Sequence, residues 1–229
     1  MFELGGPLYT ATTWVLPIVF AITLHEAAHG YVAWKLGDDT ARRLGRVTFN
    51  PIKHVDPVGT VILPGLLLLM SAPFLFGYAK PVPVNFRALR RPRRDMVLVA
   101  LAGPGSNIAM ALGAALLFHL AMLVPSVTGE WLQQNLLNAL LINVVLAVFN
   151  MLPLPPLDGG RVAVGLLPPA LARPLARLER YGILILIGAL FILPMIGDRV
   201  GQDLNVFRWL VSGPVYAVID LILMVTGLD

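Results

Sequence analysis

Hydrophobic residues along this chain fall into long blocks rather than the alternating or three-and-four patterns of half-buried elements. A block of about 20 apolar residues is what a helix needs to cross a hydrocarbon layer. The first block runs from Leu8 to Leu36, opening after Gly6-Pro7 and stopping at Gly37. A polar stretch, Asp38 to Asp56, follows. Within it Arg46-Val47-Thr48-Phe49 alternates and Asn50-Pro51 turns, which predicts a short strand and loop. Val58 to Tyr78 is long enough to span but is broken by Pro64-Gly65 and Ser71-Ala72-Pro73. Basic clusters flank it on both sides, so it reads as a re-entrant or interfacial hairpin packed against protein. Lys80-Pro81-Val82-Pro83-Val84-Asn85 reads as an edge strand whose Val82 and Val84 amides can receive an extended peptide. Further spans are expected over Met96 to Leu123, Trp131 to Leu152, Tyr181 to Ile196 and Val206 to Thr226. The pattern predicts an all-α membrane protein of about five to six transmembrane helices, with the hairpin and short β segments near the cytoplasmic face.

Composition agrees. Of 229 residues, 57% are hydrophobic and 13% charged, against about 45–50% and about 25% in ordinary soluble domains. The chain has too little charge to coat a water-facing surface, and its spans leave no long block for a soluble domain. One membrane-embedded domain over 1–229 is expected. Lys and Arg concentrate at 35–53, 80–94 and 161–180, which places those loops on the cytoplasmic side, whereas Val124 to Gly129 has no basic residue and faces outward. The run Arg90-Arg91-Pro92-Arg93-Arg94 has no accompanying recognition pattern, so no nucleic-acid partner is expected. The N-terminal residues lack a basic n-region and a cleavage site, so the first span is expected to be retained. There are no cysteines, so any transition metal must be held by nitrogen and oxygen.

Chemistry enters with His25-Glu26-Ala27-Ala28-His29. On a helix, imidazoles at i and i+4 share one face one turn apart and can bind one ion, with Glu26 adjacent as a general base. With four His and four Glu in the chain, chance predicts on the order of 0.001 such motifs. Ionisable groups inside an apolar span are costly unless they face a cavity or partner. A catalytic zinc takes three protein ligands and keeps one open position. Asp158 is the favoured third ligand: it ends a span on the same side as His29, and Gly159-Gly160 lets backbone come close. His54, in a His-x-Asp of the first loop, is the competing ligand. His119, near the outer end of its span, is a remote one. Asn150 is the stronger candidate for a neutral donor to a tetrahedral oxyanion and Asn107 the weaker, with interhelical hydrogen bonding as the alternative for each. A metal-binding membrane protein without turnover is the competing class; a transporter fits poorly because the last two spans are almost free of ionisable residues.

His25-Glu26-Ala27-Ala28-His29 in the first span, Gly103-Pro104-Gly105-Ser106-Asn107 in another, and Asn150 through Leu157-Asp158-Gly159-Gly160 together resemble the site-2 protease family of intramembrane zinc metalloproteases. The resemblance covers about residues 15–165. It implies one catalytic zinc ion held by His25, His29 and Asp158, a general base at Glu26 and an oxyanion-stabilising Asn150. It further implies transmembrane or membrane-anchored protein substrates, cut within or near the lipid bilayer. Gly30 to Asp38 and Asn50 to Thr60 are similar to a compact prokaryotic branch, with no room for PDZ-like or CBS-like domains. A multi-pass protein of a prokaryotic cell membrane, with its site toward the cytoplasm, is the resulting expectation.

Overall fold

A computed structural model describes residues 6–62, 66, 69 and 79–228. Six helices organise it: α1 (Pro7–Lys35), α2 (Pro92–Ala121), α3 (Ser126–Asn150), α4 (Asp158–Leu166), α5 (Pro169–Val200) and α6 (Arg208–Thr226). All but α4 are long and apolar enough to cross a membrane. Proline opens α1, α2 and α5, where a missing N–H costs nothing. Gly201 and Gly227 close α5 and α6 in the left-handed conformation, at φ 68° and 70°.

Helices α1, α2 and α3 pack against one another. Their mutual faces carry small residues, among them Ala21, Ala111, Ala114, Ala115 and Ala147, all buried, which lets backbones approach where no hydrophobic drive separates helix from lipid. Polar pairs register the helices: Trp131 Nε1 donates to Thr12 Oγ1 (3.0 Å), Asn138 Nδ2 to the Thr13 carbonyl (2.9 Å) and Asn107 Nδ2 to Asn143 Oδ1 (2.7 Å). Helix α6 covers the α2–α3 side with Val211, Val215 and Ile222. Large apolar side chains such as Phe20, Leu120, Leu184 and Met224 face outward, each more than half exposed. A surface of that kind is suited to lipid, not water. The chain is an integral membrane protein.

Two sequence expectations change. The β segments are not present among the described residues: 46–49 and 80–85 run without a strand ladder. The reason is that side chains take their backbone groups. The Thr48 carbonyl accepts from His54 Nε2 (3.1 Å), Val82 N–H donates to Glu26 Oε2 (2.6 Å) and Asn85 N–H to Asp38 Oδ2 (2.6 Å). The Val82 amide is therefore not held open for an incoming peptide. The span expected from Tyr181 instead continues a helix that begins at Pro169. Its Arg173, Arg177 and Arg180 had read as loop charge. Of the expected hairpin, Pro57–Ile62 forms a wide helical turn, and most of 63–78 lies outside the described residues.

Candidate metal centre

Helix α1 displays His25 and His29 on one face, as the i, i+4 spacing requires. Both point at α2, which can come this close because Gly103 faces them. A Cβ built there would lie 2.5 Å from His25 Cε1 and 2.6 Å from His25 Nε2. From α3 the chain turns through 151–157 and delivers Asp158 as the first residue of α4. Gly159 and Gly160 press against the Met151, Leu152 and Leu154 backbone, contacts that a side chain would prevent. Three residues far apart in sequence thus converge: the ligand atoms of His25, His29 and Asp158 lie within 4.8 Å of one another. All three are buried, at 7%, 8% and 5% exposure.

The proton positions follow from the neighbours. Asn107 is fully buried, and its Nδ2 faces the Ala21 carbonyl (3.3 Å), which can only accept. Its Oδ1 therefore faces His25 and takes the Nδ1–H at 2.6 Å. His29 Nδ1–H donates to the Val99 carbonyl at 2.7 Å. With both Nδ1 atoms protonated, both neutral rings present bare Nε2 lone pairs, the arrangement typical of metal-ligating histidines. Those atoms lie 3.0 Å apart, and Asp158 Oδ2 lies 3.2 and 3.3 Å from them. Despite these distances no donor is aligned with the buried Oδ2. Three lone pairs converge on one point. A shared proton would relieve one contact at the cost of a buried imidazolium; a divalent cation relieves all three.

The donor set fits zinc. Tetrahedral bonds of about 2.0–2.1 Å place neighbouring ligands about 3.3–3.4 Å apart, and the observed separations of 3.0–3.3 Å come close to that.

These residues open onto a cavity of about 550 Å³, which Glu26 and Asn150 also line. Asn150 spends one N–H on the Leu146 carbonyl at 3.0 Å and has a second to offer. Asn107 is committed at both ends of its amide, so it supports His25 and does not donate to a substrate. His54 is buried in the loop region with Nε2 donating to Thr48, and it is not among the converging ligands. His119 donates to the Thr226 carbonyl at 2.7 Å, at the end of α6. Gly103-Pro104-Gly105 carries a sequence signal of close helix approach, since small residues inside a span allow it, but not that His25 and His29 are what α2 meets. Sequence reasoning missed the Val99 carbonyl. A single carbonyl leaves no such signal.

Comparison with known proteins places this geometry in context. The model for Peptidase family M50 matches residues 126–195. Over 195 residues the chain is 42% identical to YwhC of Bacillus subtilis (strain 168), a provisionally named zinc metalloprotease, covering 82% of this chain and 84% of that protein. The similarly named Rip2 of Mycobacterium tuberculosis (strain ATCC 25618 / H37Rv) is 29% identical over 211 residues, or 91% of this chain and 77% of Rip2. Rip2 of Mycolicibacterium smegmatis is 30% identical over 171 residues, 74% of this chain and 62% of that protein. No solved structure matches the chain. A buried two-imidazole, one-carboxylate cluster in a membrane-helix bundle, together with these relatives, identifies the chain as a zinc metalloprotease belonging to Peptidase family M50, the site-2 protease family.

Proposed function

We propose that the chain is an intramembrane endopeptidase, a single domain over 1–229, that cuts membrane-spanning or membrane-anchored proteins within or near the bilayer. His25, His29 and Asp158 would hold the zinc, and the convergence of their three unprotonated donor atoms is the observation that carries this reading. When bound, the ion supplies Lewis-acid polarisation of the scissile carbonyl and acidifies the attacking water. Glu26 takes that water's proton and returns it to the leaving amine as the C–N bond breaks. The second N–H of Asn150 stabilises negative charge developing on the carbonyl oxygen. The apolar wall contributed by α5, with Ile183, Leu186, Ile187 and Leu190, limits the site's exposure to water and suits an apolar segment of substrate. A helical substrate must unwind locally, because its amide carbonyls are otherwise held in hydrogen bonds. The clusters of Lys and Arg at 35–53, 80–94 and 161–180, some of them on helices, support a site facing the cytoplasm of a prokaryotic cell. Purified Glu26→Gln protein is expected to bind zinc like the wild type and to lose peptide cleavage; retained turnover would remove Glu26 from this role.

A further inference from the structure

Glu26 does not stand free at the edge of the cavity. Its Oε2 accepts the Val82 N–H at 2.6 Å. Val82 lies between Pro81 and Pro83, neither of which has an N–H, so between Lys80 and Val84 the backbone has a single donor, and that donor meets the carboxylate. The segment 80–85 is tied down on both sides of this contact. Lys80 N–H donates to the His54 carbonyl at 2.9 Å, and Asn85 N–H donates at 2.6 Å to Oδ2 of Asp38, a residue only 1% exposed. Gly30, one turn beyond Glu26 on α1, leaves the space: a Cβ there would lie 3.0 Å from Val82 Cγ1.

The remaining tie is Arg46. It is 7% exposed, and its Nη2 donates to the Lys80 carbonyl at 2.6 Å and toward the Pro81 carbonyl at 3.4 Å. Its Nε has no partner, and among the described residues no carboxylate lies within ion-pair distance of it. Burying a guanidinium against neutral carbonyls is a poor route to stability, since the charge loses its hydration without gaining a counter-ion. What the arrangement does provide is position. The carbonyls that Arg46 grips belong to the two residues preceding Val82, and Pro81 restricts the rotation between them.

We propose that Arg46 is a positioning residue for the peptidase. By holding the Lys80 and Pro81 carbonyls it fixes the Val82 N–H on Glu26 Oε2, which sets the carboxylate's rotamer and leaves Oε1 as the oxygen that meets the attacking water. The proposal rests on Glu26 acting as the base. A misplacement of about 1 Å at such a group costs on the order of 100-fold in rate.

The test uses the full chain in detergent, six variants and a quenched-fluorescent synthetic peptide carrying one Leu/Ala transmembrane segment interrupted by Gly-Gly. Arg46→Gln and Val82→Pro, the latter deleting the N–H, are expected to lower kcat by roughly 10–100-fold with KM and zinc content unchanged. Val82→Ala, which keeps the N–H, is expected to lose less kcat than Val82→Pro, and Arg46→Lys recovers part of the loss. Amide exchange gives a readout independent of turnover: Val82 N–H exchanges slowly in the wild type and Glu26→Gln, and fast in Glu26→Ala and Arg46→Gln. The proposal is overturned if Val82→Pro matches Val82→Ala or raises kcat, if Arg46→Gln loses zinc or changes KM in step with kcat, or if the Val82 amide stays protected in Arg46→Gln. Cleavage by Glu26→Gln would instead defeat the assignment of the base, and the exchange results would still report on the Arg46 tie.

Discussion

Gly103→Ala places one methyl group where α2 meets the two imidazoles. The new carbon would start 2.5 Å from His25 Cε1 and 2.6 Å from its Nε2, and closer still to His29 Nε2, whereas ordinary contact begins at 3.4 Å. One ring or one helix must therefore retreat by about 0.9 Å, several times the roughly 0.2 Å tolerance of a metal–ligand bond. His25 is also tied by its Nδ1–H to Asn107, so it cannot move without losing that bond. The expected outcome is a loss of zinc affinity of at least about 10–100-fold, the range seen when groups supporting a ligand are disturbed. That range corresponds to roughly 1.4–2.8 kcal/mol. Competition titration against a chelator of known affinity measures it. Gly105→Ala is the control, because a Cβ at Gly105 meets nothing within 4 Å although it lies on the same helix two residues on. If Gly103→Ala and Gly105→Ala bind zinc equally well, the close approach of α2 to the histidines is not what shapes the site.

Two further predictions concern the asparagines. Asn107→Leu removes the acceptor for His25 Nδ1–H and should weaken zinc binding by about 10–100-fold. In the zinc-free protein it should also lower unfolding stability by about 1–3 kcal/mol, since a buried donor is orphaned; Asn107→Asp, which keeps the acceptor, should lose less zinc affinity in the same titration. Asn150→Ala should retain zinc and KM while kcat falls by about 100–1000-fold, the cost of removing one oxyanion donor.

The pairing of His25 with His29 is legible because its geometry is local: two imidazoles at i, i+4 share a helix face wherever that helix goes. The approach of Asp158 to them is legible from matching depth and from Gly159-Gly160, which make close backbone contacts. The fate of Val82 was not legible. Alternating residues at 80–85 are compatible with a ladder, and nothing in them tells that Glu26, Asp38 and Arg46 will take the hydrogen bonds a neighbouring strand would have supplied. The same holds for Asn107, whose side-chain amide suits an oxyanion or a histidine equally well until Ala21 and Asn143 fix its orientation. The start of α5 is not legible because Arg173, Arg177 and Arg180 read as loop charge, whereas Pro169 opens a helix there, where its missing N–H is tolerated.

If α1 and the start of α4 share one zinc ion, metal content per chain reports it in wild type, Asp158→Ala and His54→Ala proteins purified side by side. One equivalent of zinc is expected in the wild type and in His54→Ala, and its loss in Asp158→Ala. Full zinc in Asp158→Ala with loss in His54→Ala would contradict it.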